Sequence, residues 1–305
     1  MKRVAIIGAG FSGAYLAYQL KKHYHVTVFE KSRGVGGRMS TRYHDVFEFD
    51  HGVPSFKATH PQFIDFLRTF EEQGVLGKWE GEYVAVPRMN QWVKTLLKDV
   101  EVISSTLVQG LDYQDNLWHL KDEHRRHLGA FDLLISTAPP IQSQALLESK
   151  VDFETSLKNF SLKPCFVLML GIQGPYKIPK NLAYEGIEKI LINSSKPQRP
   201  AATSIVVYMD VKWSEKHLEM EIKSLEESIT LDILKALDIQ EKDIAYQSLH
   251  RWRYALGDEH VQSISHFWDE KKQCGVCGDW CFKGDVESAF LAANILLNQF
   301  ISQSN

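Results

Sequence analysis

The order of apolar and polar segments at the start of the chain is typical of a β-α-β unit. Lys2–Ile7 is mostly apolar and β-branched, which predicts a buried strand, and Ser12–Lys22 has apolar residues at helical spacing. His25–Glu30 predicts a second strand of the same kind. A strand, a glycine-rich turn, a helix and a strand within about thirty residues predict two parallel strands joined by a crossover helix.

The middle of the chain has a different pattern. Apolar periodicity predicts helices over Pro61–Gln73 and Asn90–Leu97, strands over most of 100–137, and a long charged helix over Trp213–Leu237. Further strands, without regular crossover helices, are predicted over Phe166–Gly171, Lys189–Asn193, Ile205–Asp210 and Gln247–Tyr254. Strands in this arrangement favour a mixed or antiparallel sheet.

The last section, Gln273–Gln299, predicts a strand, a turn and a long helix, as at the N-terminus. The chain is therefore predicted to have an α/β fold, in which a doubly wound Rossmann-like domain receives an inserted α+β domain. The Rossmann-like domain is predicted to be discontinuous and to comprise 1–57, 86–140 and 265–305. The inserted domain comprises 58–85 and 141–264.

Composition narrows the functional classes. A net charge of −3 over 305 residues provides no basic surface for nucleic acid or for an anionic membrane. The N-terminal apolar stretch is too short for a signal peptide, and Cys165–Ile172 is too short to span a bilayer, so we expect a cytoplasmic protein. Cys274 and Cys277 form a C-x-x-C pair without a second ligand pair, so we interpret them as packing residues rather than as a metal or redox site.

The turn after the first strand carries a glycine motif that is typical of dinucleotide binding. Gly8, Gly10 and Gly13 form G-x-G-x-x-G, with Phe11 and Ser12 opening the helix. The glycines permit a tight turn, close approach of a pyrophosphate and close packing of the helix on the strands. The helix N-terminus would supply N–H groups to the phosphates.

Two features after this unit indicate which dinucleotide is expected. Glu30 ends the second strand, where a carboxylate can accept hydrogen bonds from the ribose hydroxyls and would repel a 2′-phosphate. A basic loop follows directly, and its candidate cofactor-binding residues are Lys31, Arg33, Gly36, Gly37 and Arg38. Adjacent glycines flanked by arginines suit a pyrophosphate and a flavin edge, and an NAD dehydrogenase does not need them; a basic surface loop is the alternative. We therefore expect FAD.

A second candidate flavin site lies near the C-terminus. Gly278 and Asp279 follow a predicted strand, where the carboxylate could accept hydrogen bonds from the ribityl hydroxyls of the flavin. The helix after Gly284 is expected to begin near Asp285 or Val286, and its N-terminal N–H groups could stabilise negative charge on reduced flavin. A helix cap or a turn residue is the alternative interpretation of Asp279.

These motifs resemble the FAD-dependent amine oxidase superfamily, and the fuller string resembles renalase and its bacterial homologues. The resemblance runs in family order through Phe49–Gly52, Val86–Asn90, Phe131–Pro140, His250–Ala255, Gly278–Cys281 and Val286–Ala289. It implies further cofactor-binding residues at Thr137, Pro139, Glu287, Ser288 and Ala289. We expect the FAD to be non-covalent, although the sequence leaves covalent attachment open. The chain departs from the family pattern at Val53-Pro54-Ser55, and Arg88 stands where relatives often have Gly. These departures bear on the substrate rather than on FAD.

Alternation along the late strand yields candidate substrate residues. Trp252 and Tyr254 share one face of this strand, whereas Arg251 and Arg253 share the other. The aromatic residues could form a wall over the flavin, or the arginines could bind phosphates; two core aromatics with two solvated cations are the alternative. The candidate substrate-binding residues are Phe56, His250, Trp252, Arg253 and Tyr254.

The resemblance implies an FAD-dependent oxidoreductase that takes a hydride from a small-molecule donor to flavin N5 and is reoxidised by O2 to give H2O2. Renalase-like activity would oxidise a dihydro-isomer of NAD(P) to NAD(P)+. An amine oxidase and a flavin-bearing redox or binding protein without turnover are the alternatives. No catalytic side chain and no metal site are assigned, because the cofactor carries the chemistry. The sequence leaves the oligomeric state open.

Overall fold

The computed structural model describes residues 1–178, 185–257 and 264–303. Within these ranges the helices are α1 (Phe11–Leu20), α2 (Pro61–Glu72), α3 (Met89–Leu96), α4 (Pro140–Leu147), α5 (Val211–Lys216), α6 (Ile222–Leu237) and α7 (Val286–Gln303). The strands are β1 (Arg3–Ile7), β2 (His25–Phe29), β3 (Thr41–His44), β4 (Phe47–Asp50), β5 (Leu76–Trp79), β6 (Glu82–Ala85), β7 (Glu101–Ile103), β8 (Val108–Gln114), β9 (Leu117–Asp122), β10 (His127–Phe131), β11 (Leu133–Ser136), β12 (Leu162–Ile172), β13 (Ile187–Ile192), β14 (Thr203–Met209), β15 (Ile244–Gly257), β16 (Phe267–Asp269) and β17 (Cys274–Val276).

A six-stranded sheet holds the glycine-rich turn, in the order β16-β17-β11-β1-β2-β7. All its neighbouring strands pair in parallel except β16 and β17, which are antiparallel. Val4, Ala5 and Ile6 of β1 are completely buried, as a central strand covered on both faces requires. The predicted α/β fold with a Rossmann-like unit is confirmed, and the carboxyl ends of β1, β2 and β11 meet at one edge.

A second, four-stranded sheet is antiparallel throughout, in the order β13-β14-β12-β15. Helix α6 buries Ile229, Ile233 and Leu237 in the core on one face of this sheet. Phe47 and Phe49 of β4 belong to the core on the other face. The predicted mixed or antiparallel sheet is therefore confirmed for this part of the chain.

The β3–β4 hairpin lies between the two parts of the fold. Its register pairs Arg42 with Phe49 and Thr41 with Asp50, so alternate residues point to opposite faces. Phe49 packs on the antiparallel sheet, whereas Asp50 accepts a hydrogen bond from the backbone N–H of Met89 at the start of α3. The sequence analysis did not predict this hairpin, because each strand has only four residues and β4 combines its apolar residues with Glu48 and Asp50, which are buried.

Two predicted elements have different bounds in the structure. The predicted helix Trp213–Leu237 is in fact two helices, because Glu221 accepts a hydrogen bond from the backbone N–H of Ser224 at 2.8 Å and so caps a new helix, α6. The uniformly charged sequence concealed this cap. Strand β15 extends beyond the predicted Gln247–Tyr254 at both ends, where its alternately exposed residues weaken the apolar pattern.

Helix α2 and the β5–β6 hairpin lie in 58–85, which the sequence analysis assigned to the inserted domain. Phe63, Leu67 and Phe70 of α2 and Val84 of β6 belong to the same core as β1 and α1. The apolar face of α2 is therefore covered by the Rossmann-like unit, and the division into domains stays a prediction. In the ranges that the structure describes, no helix combines the length and the hydropathy needed to cross a bilayer.

Candidate functional site

The turn between β1 and α1 has the geometry that the glycine motif predicts. A Cβ at Gly13 would lie 2.0 Å from the carbonyl oxygen of Gly8, so this position packs the helix directly on the turn. A Cβ at Gly10 would have no protein atom within 4 Å, so the space beside the helix N-terminus is open. Helix α1 has no side-chain cap and no acidic residue in its first turn, which leaves the positive end of its dipole available to an anion.

Glu30 joins the glycine turn to the loop that follows β2. Its buried carboxylate accepts hydrogen bonds from the backbone N–H groups of Ala9, at 2.9 Å, and Ser32, at 2.8 Å. A carboxylate has about four lone-pair sites, so these two bonds leave acceptor capacity for a ribose hydroxyl. The predicted role of Glu30 toward a ribose stays a prediction, and the structure adds a second role in fixing both loops.

The second glycine loop lies directly against the first. The backbone N–H of Gly36 donates to the carbonyl oxygen of Ala9 at 2.9 Å. Gly37 has a φ of +52°, and a Cβ there would lie 3.3 Å from the Cα of Gly10. Gly37 is nevertheless exposed, so both glycines border the same open space beside α1. The backbones of the two glycine motifs, Gly8–Gly13 and Gly36–Gly37, therefore form one surface, which we call the glycine surface.

Arg38 and Asp279, predicted separately as cofactor residues, form an ion pair across 241 positions of sequence. One guanidinium nitrogen donates to Asp279 Oδ2 at 2.7 Å and the other donates to Oδ1. Arg38 also donates to the carbonyl oxygen of Ala255 at the end of β15, at 2.8 Å. The second glycine loop, the C-terminal motif and the antiparallel sheet are thereby joined at one point.

Most of the other predicted cofactor residues lie around this surface. The hydroxyl of Thr137 lies 3.0 Å from the carbonyl oxygen of Ile7, and the hydroxyl of Ser12 lies 3.3 Å from that of Ala289. Pro139 precedes α4 at its cap position. Gly278 packs against the indole of Trp280, which leaves no room for a side chain.

Helix α7 begins at Val286, as predicted, but several of its first polar groups already have partners. Asp285 accepts from the backbone N–H of Ser288 at 2.7 Å, and the Ser288 hydroxyl accepts from the N–H of Lys283 at 3.2 Å. Glu287 accepts hydrogen bonds from the backbone N–H groups of Thr59 and His60, immediately before α2. These contacts join α7 to α2 and to its own preceding loop rather than directing these groups at the glycine surface.

Of three further predicted cofactor residues, Phe11 and Lys31 have side chains directed elsewhere, and Arg33 is exposed. The ring of Phe11 packs on Trp92 at a centroid distance of 4.6 Å, inside the core. Lys31 and Arg33 are exposed, and the ammonium group of Lys31 lies 3.3 Å from the side-chain oxygen of Gln142. Only the backbone of Phe11, at the N-terminus of α1, borders the open space.

The structure shows which face of the late strand points inward. The indole nitrogen of Trp252 donates to the carbonyl oxygen of His51 at 2.7 Å, and the two rings stack at 5.4 Å. His250 meets His51 edge-on, with ring centroids 4.8 Å apart. His51 is followed by Gly52, where a Cβ would lie 1.9 Å from the carbonyl oxygen of Arg38. The aromatic face of β15 is thus adjacent to the second glycine loop.

The structure does not bring two of the predicted substrate residues to this position. Arg253 forms a bidentate ion pair with the exposed Glu219, at 2.6 and 2.9 Å, on the outer face of β15. Phe56 is buried between Tyr83 and Trp92, with ring centroids 5.6 and 5.5 Å away. Alternation and proximity in sequence did not reveal these packing partners. Tyr254 is half-buried and lies where the register between β12 and β15 shifts.

Sequence reasoning missed His51 and Arg42 as members of this cluster. Burial, with the charge of Arg42 in addition, lowers the pKa of His51 to about 4. Burial, the neighbouring His51 and Arg42 lower the pKa of His250 to about 3. Both imidazoles are therefore neutral at physiological pH. The resemblance includes the segment Phe49–Gly52, but no local pattern in the sequence indicates the partners of His51 on β15.

We expect the neutral histidine pair to make folding acid-sensitive. Histidines in the unfolded chain take up protons near pH 6.5, whereas the folded chain keeps His51 and His250 neutral to much lower pH. The free energy of unfolding should therefore be independent of these histidines above about pH 6.5. It should fall as the pH is lowered towards 4, by up to about 1.4 kcal/mol per pH unit for each histidine. Thermal melts between pH 7.5 and 4.5 should show a smaller loss for the double variant His51→Gln/His250→Gln than for the wild type.

The exposed His124 offers a matched control for this measurement. The variant His124→Gln should follow the wild-type melting curve at every pH. Parallel pH profiles for the wild type and the double variant would show that the pair does not titrate as described.

A buried charge cluster beside the site was also absent from the sequence predictions. Asp50, which precedes His51, accepts from Lys196 at 2.9 Å and from Arg199 at 2.7 Å, and all three side chains are completely buried. Burial raises the pKa of Asp50, but the charges of Lys196 and Arg199 outweigh it and hold the pKa below its usual value. Lys196 and Arg199 come from the loop between β13 and β14, so the cluster joins the hairpin to the antiparallel sheet.

Two surface clefts lie away from the glycine loops. One, of about 480 Å³, runs between α6 and β15, and the other, of about 640 Å³, borders the β3–β4 turn and the end of β12. Neither is lined by a residue of the glycine loops. The described residues contain no cluster of three or more histidine, cysteine or acidic side chains able to hold a metal, and all four cysteines are buried thiols.

Comparison with known proteins agrees with this geometry. The profile of the NAD(P)-binding Rossmann-like domain matches residues 6–70. Residues 6–70 thus have the sequence pattern of this domain and fold as the Rossmann-like β-α-β unit described above. Protoporphyrinogen oxidase 2 of Arabidopsis thaliana, chloroplastic/mitochondrial, is 39% identical over 76 residues, which cover 24% of this chain and only 15% of that protein.

A solved structure extends the similarity to the whole fold. A protein from Exiguobacterium sp. 255-15, assigned as a protoporphyrinogen oxidase, superposes with a TM-score of 0.76 over 99% of both chains. The sequence identity is 11%, so this comparison establishes the shared fold. The Rossmann unit, the antiparallel sheet and their connection therefore recur together in another protein.

Proposed function

We propose that this protein is an FAD-dependent oxidoreductase that oxidises a small-molecule donor. The observation that carries the proposal is the contact between two glycine loops, with Gly37 against Gly10, and the Arg38–Asp279 pair at the edge of the same surface. An NAD site needs the first loop alone, whereas the second loop and the C-terminal motif resemble the flavin amine oxidase superfamily. The relatives assigned as protoporphyrinogen oxidases support the same class.

The residues present fit FAD. The uncapped N-terminus of α1 and the open space at Gly10 suit the pyrophosphate, and Glu30 retains acceptor capacity for the adenosine ribose. Arg38 and Asp279 lie on the side of Trp252 and His51, where the flavin end is expected. FAD, when bound, would accept two electrons from the donor. The cysteines are buried, which favours non-covalent binding.

The donor that we propose is a dihydro-isomer of NAD(P), oxidised to NAD(P)+, with O2 as the final acceptor and H2O2 as its product. This proposal is supported by the resemblance of His250–Ala255 to renalase-like proteins and by the neutral aromatic wall of His51, His250 and Trp252 beside the second glycine loop. The side chains of this wall would exclude water and orient a flat ring. The names of the relatives add protoporphyrinogen as a further donor to test.

The test begins with the purified protein, which we expect to be yellow and to release FAD, rather than FMN, on denaturation. Dihydronicotinamide isomers, amines and protoporphyrinogen are then mixed with it anaerobically, and bleaching of the flavin absorbance is followed. Bleaching by a dihydronicotinamide isomer and recovery with H2O2 on admission of air are the expected results. A colourless protein that cannot be reconstituted with FAD would exclude the flavoenzyme. Bleaching by amines alone would replace the proposed donor, and no bleaching by any donor would favour a binding protein.

A further inference from the structure

Arg42 points from β3 towards the inner face of β15. Its guanidinium donates to the hydroxyl of Ser248 at 3.0 Å and lies 3.4 Å from Nδ1 of His250. Both partners are uncharged, because His250 is neutral at physiological pH. Within 1–178, 185–257 and 264–303, no carboxylate lies within ion-pair distance of Arg42. A guanidinium has five N–H donors, so most of its donor capacity remains available.

The other arginines around the hairpin differ from Arg42 in this respect. Each has a carboxylate partner: Arg38 with Asp279, Arg88 with Glu48, and Arg199 with Asp50. The pairing of Thr41 with Asp50 and of Arg42 with Phe49 places Asp50 and Arg42 on opposite faces of the hairpin. The carboxylate of Asp50 is in addition paired with two cations, so it does not compensate the charge of Arg42.

The surroundings of Arg42 are aromatic and neutral. His250 contacts it directly, and His51 and Trp252 complete the cluster beside the second glycine loop. Repulsion from Arg42 contributes to keeping both imidazoles uncharged. A half-buried positive charge in such surroundings favours an anion more strongly than a fully solvated one would, and it disfavours a cation. Protonated amines are cations at neutral pH, whereas phosphates and carboxylates are anions.

We propose that Arg42 is a specificity-determining residue that binds a phosphate or carboxylate group of the donor and disfavours protonated amines. This inference rests on the proposed function, because it assumes that the donor lies against the wall formed by His51, His250 and Trp252. The inference adds a property of the donor that the glycine motifs do not indicate. The donor carries a negative charge near its reactive ring.

The experiment compares ligand pairs in which one member lacks the anionic groups, namely one phosphate in the first arm and both carboxylates in the second. In the phosphate arm, isothermal calorimetry measures binding of nicotinamide mononucleotide against nicotinamide riboside; in the carboxylate arm, protoporphyrin IX is compared with its dimethyl ester. In one of the arms the wild type should bind the anionic member at least about ten-fold more tightly, as one charge-assisted hydrogen bond implies. The variant Arg42→Gln should lose that preference, and Arg42→Lys should retain part of it.

Arg253→Gln is the matched control, since Arg253 lies on the outer face of β15 and is paired with Glu219. It changes the net charge equally and should leave the preference intact. The inference is overturned if the wild type shows no preference in either arm, if a simple amine competes as well as the anions, or if Arg42→Gln keeps the wild-type ratio. If Arg42→Gln has a lower melting temperature or loses its flavin, the affinity ratio of the anionic to the neutral ligand is measured in Arg42→Lys instead. A reduced ratio in Arg42→Lys supports the inference, and a wild-type ratio overturns it. Calorimetry needs no flavin signal, so failure of the proposed function, seen as a protein without FAD, is distinguished from failure of this inference.

Discussion

Replacement of Gly10 by valine should abolish retention of FAD while leaving the fold intact. A Cβ at this position meets no protein atom within 4 Å, so a branch there starts in open space rather than against the folded chain. The same space lies beside the uncapped N-terminus of α1, where the pyrophosphate would approach the backbone. Loss of two charge-assisted hydrogen bonds, at ~1.5–3 kcal/mol each, corresponds to a weakening of roughly a hundred-fold or more. The flavin-to-protein absorbance ratio measures the outcome.

Two other glycines provide the contrast that makes this experiment decisive. Gly34 also has no atom within 4 Å of a Cβ, but it lies outside the contact between the loops, so Gly34→Val should keep its flavin. Gly13→Ala should damage the fold itself, because its Cβ would lie 2.0 Å from the carbonyl oxygen of Gly8. Melting temperatures of the flavin-free proteins should therefore fall for Gly13→Ala and not for Gly10→Val. A Gly10→Val protein with a full complement of FAD would show that the cofactor does not lie across this turn.

The glycine turn could be predicted from sequence because its requirements are local. Gly8, Gly10 and Gly13 are contiguous with the strand before them and the helix after them, so spacing alone implies the backbone geometry. Arg38 and Asp279 were each identified from their own motifs. Their mutual ion pair joins positions 241 residues apart, and no periodicity along the chain carries that information.

For the candidate substrate residues on β15, the sequence predicted two alternatives, an aromatic face or an arginine face directed inward. Alternation showed that Trp252 and Arg253 lie on opposite faces of one strand, but the inward face depends on the elements that pack there. His51 covers Trp252, and Glu219 pairs with Arg253, and both partners come from other parts of the fold. Arg42 and His51 escaped prediction for the same reason. Their significance lies in neighbours that only the docked β3–β4 hairpin supplies.

The largest stability effect is expected at Asp50. Asp50→Ala would leave Lys196 and Arg199 completely buried without their carboxylate partner, and breaking a buried ion pair in this way typically costs about 3–5 kcal/mol. Thr41 would also lose the acceptor of its hydroxyl, which lies 2.7 Å from Asp50 Oδ1. For a chain of this size the melting temperature should fall on the order of 10 °C.

Asp112 is the matched control, because its carboxylate forms an ion pair with Lys121 at a similar distance, 2.8 Å. This pair is exposed to solvent, with 48% of the Asp112 side chain and 41% of the Lys121 side chain accessible. Exposed pairs contribute about 0–1 kcal/mol, so Asp112→Ala should melt close to the wild type. If the destabilisation at Asp50 arises from uncompensated buried charge, Asp50→Asn combined with Lys196→Met should be more stable than Asp50→Asn alone, since one of the two orphaned cations is removed. Equal melting temperatures for the single and double variants would instead attribute the loss to packing and hydrogen bonds, and the cluster would then join the hairpin to the antiparallel sheet by shape rather than by charge.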